Sequence, residues 1–113
     1  MYTYRARALK IIDADTLDLD VDVGFGIHVQ HRFRIRDYDA PETYRPKSIA
    51  EREHGQAAVT RTFSLVQGKD LLVTTYKLGI YGRYGADIQL PDGRDYATVM
   101  REEGFQKREV YEG

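Results

Sequence analysis

At 113 residues, 42% hydrophobic and 31% charged, the chain has room for one domain with a small core and no second domain beside it. A net charge of -1 gives no bulk attraction to polyanions or anionic membranes, so any nucleic acid has to be gripped locally. The absence of cysteine excludes disulfides, thiolate metal sites and cysteine nucleophiles, and no stretch approaches the roughly 20 apolar residues of a membrane span. The opening MYTYRARALKII lacks the apolar run of a signal peptide, which predicts a cytosolic protein or a mature form.

In chain order, Tyr2 to Ile12 is expected to form a first strand. TLDLDVDV, Thr16 to Val23, alternates Leu17, Leu19, Val21 and Val23 with Asp18, Asp20 and Asp22, the pattern of a half-buried strand. Gly24 to Gly26 turn the chain, and Ile27 to Arg36 alternates again, with Val29, Phe33 and Ile35 opposite Gln30, Arg32, Arg34 and Arg36. SIAE, Ser48 to Glu51, has the form of a capping box. Val59, Phe63 and Val66 then give the stripe of a helix that Gly68 ends and that Gly55 divides from a looser lead-in. Lys69 to Tyr76 and Arg83 to Leu90 read as further strands, PDGR from Pro91 as a turn, and Asp95 to Glu103 as a short helix stopped by Gly104. This order fits a small closed barrel of the OB type, and other compact α+β folds share it.

Carboxylates gather at two strand ends: Asp13 and Asp15 after the first strand, Asp39 and Glu42 after the third. Without cysteine they offer only oxygen, which suits a hard cation such as calcium or magnesium, although aspartates also flank turns because they bond local backbone. Arg34 precedes Asp39 by five residues, and a guanidinium beside a metal suits a phosphodiester gaining charge at phosphorus. The stripe Asp18, Asp20, Asp22 reads as a solvated face. His28 and His31, three apart on a strand, point to opposite faces and make a poor metal pair.

Three segments carry a resemblance in order along the chain. IIDADT resembles the Asp-Gly-Asp-Thr turn of the staphylococcal nuclease (thermonuclease) family, small OB-fold enzymes that hydrolyse DNA and RNA with calcium. FRIRDYDAPET resembles that family's arginine followed five residues later by Asp-x-Pro-Glu, and YGRYGADI its Tyr-Gly-Arg strand start. The resemblance implies one nuclease-like domain over residues 1–113, mainly β with some α: a five-stranded OB barrel with one helix between strands 3 and 4 and a short C-terminal helix. It implies calcium held by Asp15, Asp39 and the carbonyl of Ala40, with Asp13 behind them. It further implies that Glu42 activates or orients the attacking water, that Arg34 and Arg83 hold the phosphate, and that Tyr81 stacks on or hydrogen-bonds a nucleotide, although tyrosine is also an ordinary strand residue. Arg36 shares a face with Arg34, and the family spacing selects Arg34. Water would attack phosphorus in line and the 5′-oxygen would leave, giving 3′-phosphate products.

Two departures stand out. Ala14 occupies a turn position usually held by glycine, which requires backbone angles that accept a Cβ. Family members usually continue past the Gly-Phe-Gln region with a tyrosine-bearing segment and another helix, whereas this sequence stops at KREVYEG. That predicts an apolar face whose simplest cover is a second copy, a homodimer through Phe105 to Tyr111 with Phe105, Val110 and Tyr111 at the contact; another partner or a locally reshaped, more polar surface are the other solutions. The alternatives are a catalytically silent nucleic-acid-binding module of the same fold and an OB-type protein-interaction domain. Retention of Asp15, Arg34, Asp39, Glu42 and Arg83 favours the nuclease.

Overall fold

The alternating sequence produces a barrel wall. In the computed structural model, which describes residues 2–78 and 83–111, strand β1 (Tyr2–Asp13) pairs antiparallel with β2 (Thr16–Asp22), and β2 with β3 (His28–Ile35). Leu17, Leu19, Val21, Phe33 and Ile35 turn inward and are buried, while Asp18 and Arg32 form an ion pair on the outer face. The β2–β3 connection needs left-handed backbone at Gly24, Phe25 and Gly26, and glycine at two of the three positions makes that inexpensive.

Closure follows from the length and bend of β1. Tyr2 to Ala6 pair with β4 (Leu71–Leu78) and Arg5 to Asp13 with β2, and register shifts against β2 after Ala8 and Ile11 bend the second half of the strand. Strand β5 (Arg83–Gln89) lies antiparallel to β4 and parallel to β3, completing a closed barrel in the order β1-β2-β3-β5-β4. With its two helices this is a mixed, mostly β barrel of the OB kind, as the sequence suggested. Among the described residues, no helix is long and apolar enough to cross a membrane.

Helix α1 (Ile49–Val66) starts where expected. The Ser48 side chain accepts from Glu51 N, completing half of the capping box. It corrects two expectations. Gly55 does not divide it, and the buried face is not the bulky apolar stripe: Val66 is buried, but Val59 is only partly covered and Phe63 is 56% exposed. The buried positions are Glu51, Gly55, Ala58, Thr62, Leu65 and Val66. The physical reason is close approach. A Cβ on Gly55 would lie 2.9 Å from the carbonyl oxygens of both Pro41 and Glu42 and 3.0 Å from Thr43 Cγ2, so the helix rests directly on backbone and larger residues do not fit.

Helix α2 (Tyr96–Glu102) is capped by Asp95, whose carboxylate accepts from Thr98 N. Beyond it the chain folds back. Tyr38 donates its hydroxyl proton to Phe105 O at 2.6 Å, and His54 lies 2.8 Å from both Tyr111 Oη and Gly104 O. Phe105 and Tyr111, expected at a dimer contact, are thus half-buried against their own chain, and Val110 stays exposed.

Candidate functional site

The barrel delivers both acidic clusters to one end. The β1–β2 turn carries Asp13 and Asp15, and the loop after β3 carries Asp39, Ala40 and Glu42. Register places Thr16 opposite Arg34, so the turn and the loop begin side by side. Together Asp13, Asp15, Thr16, Arg34, Asp39, Ala40, Glu42 and Lys107 line one hollow of about 430 Å³.

Each member is held by a nameable contact. Asp15 accepts from Ala40 N at 2.9 Å and from Thr16 Oγ1 at 3.0 Å, and lies 3.5 Å from Arg34 Nη2. Burial pushes its carboxyl above the usual aspartate value, against the opposing pull of the Ala40 amide and the Arg34 charge. Asp13 accepts from Thr43 N at 3.2 Å and Thr43 Oγ1 at 2.6 Å, stapling the turn to the far side of the loop. Both terminal nitrogens of Arg34 are engaged: Nη1 donates to the carbonyls of Ile35 and Tyr38, and Nη2 to the Asp39 carboxylate. Asp39 itself is 74% exposed. Arg36, by contrast, turns to Asp87 at 2.8 Å and over the Tyr76 ring, away from the hollow's lining.

The turn is braced from below. Tyr96, fully buried, donates its hydroxyl proton to Ala14 O and lies 2.7 Å from Thr62 Oγ1, joining the turn to both helices. Burial raises the Tyr96 hydroxyl well above its ordinary pKa, so it remains a donor. Ala14 needs no glycine conformation: among the described residues, only Phe25 and Asp37 are non-glycine with positive φ. Asp37 turns the chain out of β3 toward Asp39, and Arg101 of α2 donates to its carbonyl.

Of the residues singled out from sequence, Asp13, Asp15, Arg34, Asp39, Ala40 and Glu42 share this hollow. Tyr81 lies outside the described residues, and of Arg83 only the backbone is described, paired with Leu78 at the start of β5. Lys107, which with Lys47 and Arg108 reads from the sequence either as a nucleic-acid backbone contact or as a merely solvated cation, lines the hollow, and Gly55 and Tyr96 support it from beneath.

The donor set is all oxygen, which fits a hard divalent cation in chemistry. Among the described residues, no three carboxylates converge closely enough to form a ready cage. Asp39, the carboxylate facing solvent, is turned onto Arg34.

A family model described as staphylococcal nuclease homologue matches residues 32–112, nearly three quarters of the chain. The match takes in Arg34, Asp39, Ala40, Glu42, Tyr81, Arg83 and Lys107, while Asp13 and Asp15 precede it. No curated protein gives a significant match.

Proposed function

The chain belongs to the staphylococcal nuclease homologue family, and from that premise we propose that it is a calcium-dependent nuclease hydrolysing phosphodiester bonds of DNA or RNA. The observation that supports this reading most is the gathering of Asp15, Arg34, Asp39, Ala40 and Glu42 around one polar hollow. Calcium would be held by the carboxylates of Asp15 and Asp39 and the carbonyl of Ala40, where it would supply positive charge to a phosphoryl oxygen. Glu42, whose side chain is about half exposed, takes the proton of the attacking water. As the new P–O bond forms in line, the bond to the 5′-oxygen breaks and the leaving oxygen takes a proton from solvent, which leaves a 3′-phosphate. Arg34 and Arg83 offset the charge that grows on the non-bridging oxygens. Asp13 keeps the two acidic segments together through Thr43 rather than meeting the substrate.

A second reading, a nucleic-acid-binding module without catalysis, draws on the closure of Arg34 onto Asp39. One assay separates the two. Single-stranded DNA, duplex DNA and RNA are incubated with protein in calcium, magnesium or chelator, and product ends are identified. Cleavage with calcium, weaker cleavage with the smaller and more rigidly hydrated magnesium, none in chelator, and 3′-phosphate ends are expected. Equal cleavage in chelator refutes the metal reading, and binding without cleavage establishes the silent module.

A further inference from the structure

One cation at the hollow has no role yet. Lys107 comes from the segment after α2, far in sequence from the acidic clusters, and several contacts direct it there. Its backbone N–H donates to Asp39 O at 2.8 Å, while the Tyr38 hydroxyl and His54 hold the residues on either side. Its ammonium lies 3.9 Å from Glu42 Oε1 and 3.7 Å from Glu51 Oε2.

Glu51 explains why the ammonium stays. Its side chain is 2% exposed, yet it carries a carboxylate whose Oε1 accepts from Lys47 N at 2.8 Å. A buried carboxylate needs a partner of opposite charge, and Lys107 is the ion-pair partner it has among the described residues. Glu51, in the first turn of α1, is therefore the anchor that points Lys107 at the hollow.

What Lys107 offers there differs from what Arg34 offers. The two terminal nitrogens of Arg34 are bonded to loop carbonyls and to Asp39. Both contacts of Lys107 Nζ exceed hydrogen-bond length, so its three N–H donors remain to be spent on an incoming oxygen. Charge points the same way. With Glu51 behind the lining, five carboxylates face Arg34 and Lys107, and a divalent cation would balance all but one of the remaining negative charges. Without Lys107 an arriving phosphodiester would meet one negative charge more.

We propose that Lys107, aimed by buried Glu51, contacts a substrate phosphate at this site, an assignment that rests on the nuclease reading above. The test measures binding of a short phosphorothioate-linked oligothymidylate to the full chain in calcium, over a range of salt concentrations, beside cleavage of ordinary DNA. Lys107→Gln is expected to weaken binding on the order of tenfold at low salt and to reduce the slope of log affinity against log salt by about 0.7, the value of one single-strand phosphate contact. Lys107→Arg restores the slope, and Lys69→Gln, an exposed lysine just past α1, leaves it unchanged. A purely structural Lys107 would change the melting temperature and not the slope. If Lys107→Gln fails to fold because Glu51 is left alone, the double variant Lys107→Gln/Glu51→Gln has no buried charge and gives the same reading. Wild-type cleavage with an unchanged slope in Lys107→Gln overturns this assignment alone. A wild-type chain that neither binds nor cleaves overturns the nuclease reading and takes the assignment with it.

Discussion

Gly55→Ala tests the idea that helix α1 carries the acidic loop directly on its backbone. In an unconstrained helix the substitution stabilises by about 1 kcal/mol, because alanine is the better helix former. Here the new methyl would lie 2.9 Å from two carbonyl oxygens, Pro41 O and Glu42 O, and 3.0 Å from Thr43 Cγ2. None of the three is the end of a long flexible side chain, so relief requires the loop or the helix to move by several tenths of an ångström. Overpacking of this kind costs about 1–3 kcal/mol, and its upper end suits three simultaneous contacts, two of them with backbone. Net of the helix gain, a loss of about 2 kcal/mol is expected, which for a chain of this size is roughly 8 °C in melting temperature. Because the moved segment carries Asp39, Ala40 and Glu42, cleavage should fall as well, by about tenfold to a hundredfold. Calorimetry and a cleavage assay on Gly55→Ala, with the exposed neighbour Gln56→Ala as reference, decide the matter. A melting temperature that rises by a few degrees, with activity intact, would show that the loop yields freely and that α1 does not set its position.

Glu42→Gln should lower turnover by about 10² to 10⁴ with the fold intact, and Arg83→Lys by about 10² through loss of the fork that reaches two oxygens; steady-state kinetics beside circular dichroism checks both. Arg36→Ala, which releases Asp87 and Tyr76 outside the hollow, should leave cleavage far less affected than Arg34→Ala, and equal losses in two folded variants would refute the assignment of Arg34. Tyr96→Phe removes the buried hydroxyl that holds Ala14 O and should cost about 1–3 kcal/mol while weakening calcium binding through a looser Asp13–Asp15 turn, as read by thermal melts and calcium titration.

The wall of the barrel was legible because each strand buries one face. Alternation of Leu17, Leu19 and Val21 with aspartates leaves little choice of register, since a one-residue slip would bury the charges. Helix α1 was legible in extent and misleading in orientation. Periodicity finds bulky apolar residues, and this helix buries Gly55, Ala58 and Thr62 because it lies close against a loop, leaving Phe63 outside. At the site, the five-residue step from Arg34 to Asp39 is local and was readable. Glu51 and Tyr96 were not, because each reaches the site only once the helices have packed on the closed barrel, and Lys107 stands out from the other cations only once the chain beyond α2 has folded back.

That same five-residue step has an electrostatic consequence. It sets the guanidinium of Arg34 against the Asp39 carboxylate while Asp15, beside them, is held partly out of water. The group on the solvent side, Asp39, is the one with freedom to leave, whereas Arg34 Nη1 is fixed by the carbonyls of Ile35 and Tyr38. A cation that draws Asp39 away would therefore release the nearer partner of Nη2, leaving Asp15 at 3.5 Å, without moving the rest of the arginine, and a donor would face the hollow when a metal is there. A phosphate that engages Nη2 would in turn leave Asp39 available to a metal, and such linkage is reciprocal by thermodynamic necessity. An arginine and an acid that neutralise each other at rest are thus suited to a ligand that brings a cation and a phosphate together, and the proline-stiffened segment DYDAPET keeps Asp39 within reach of that arginine.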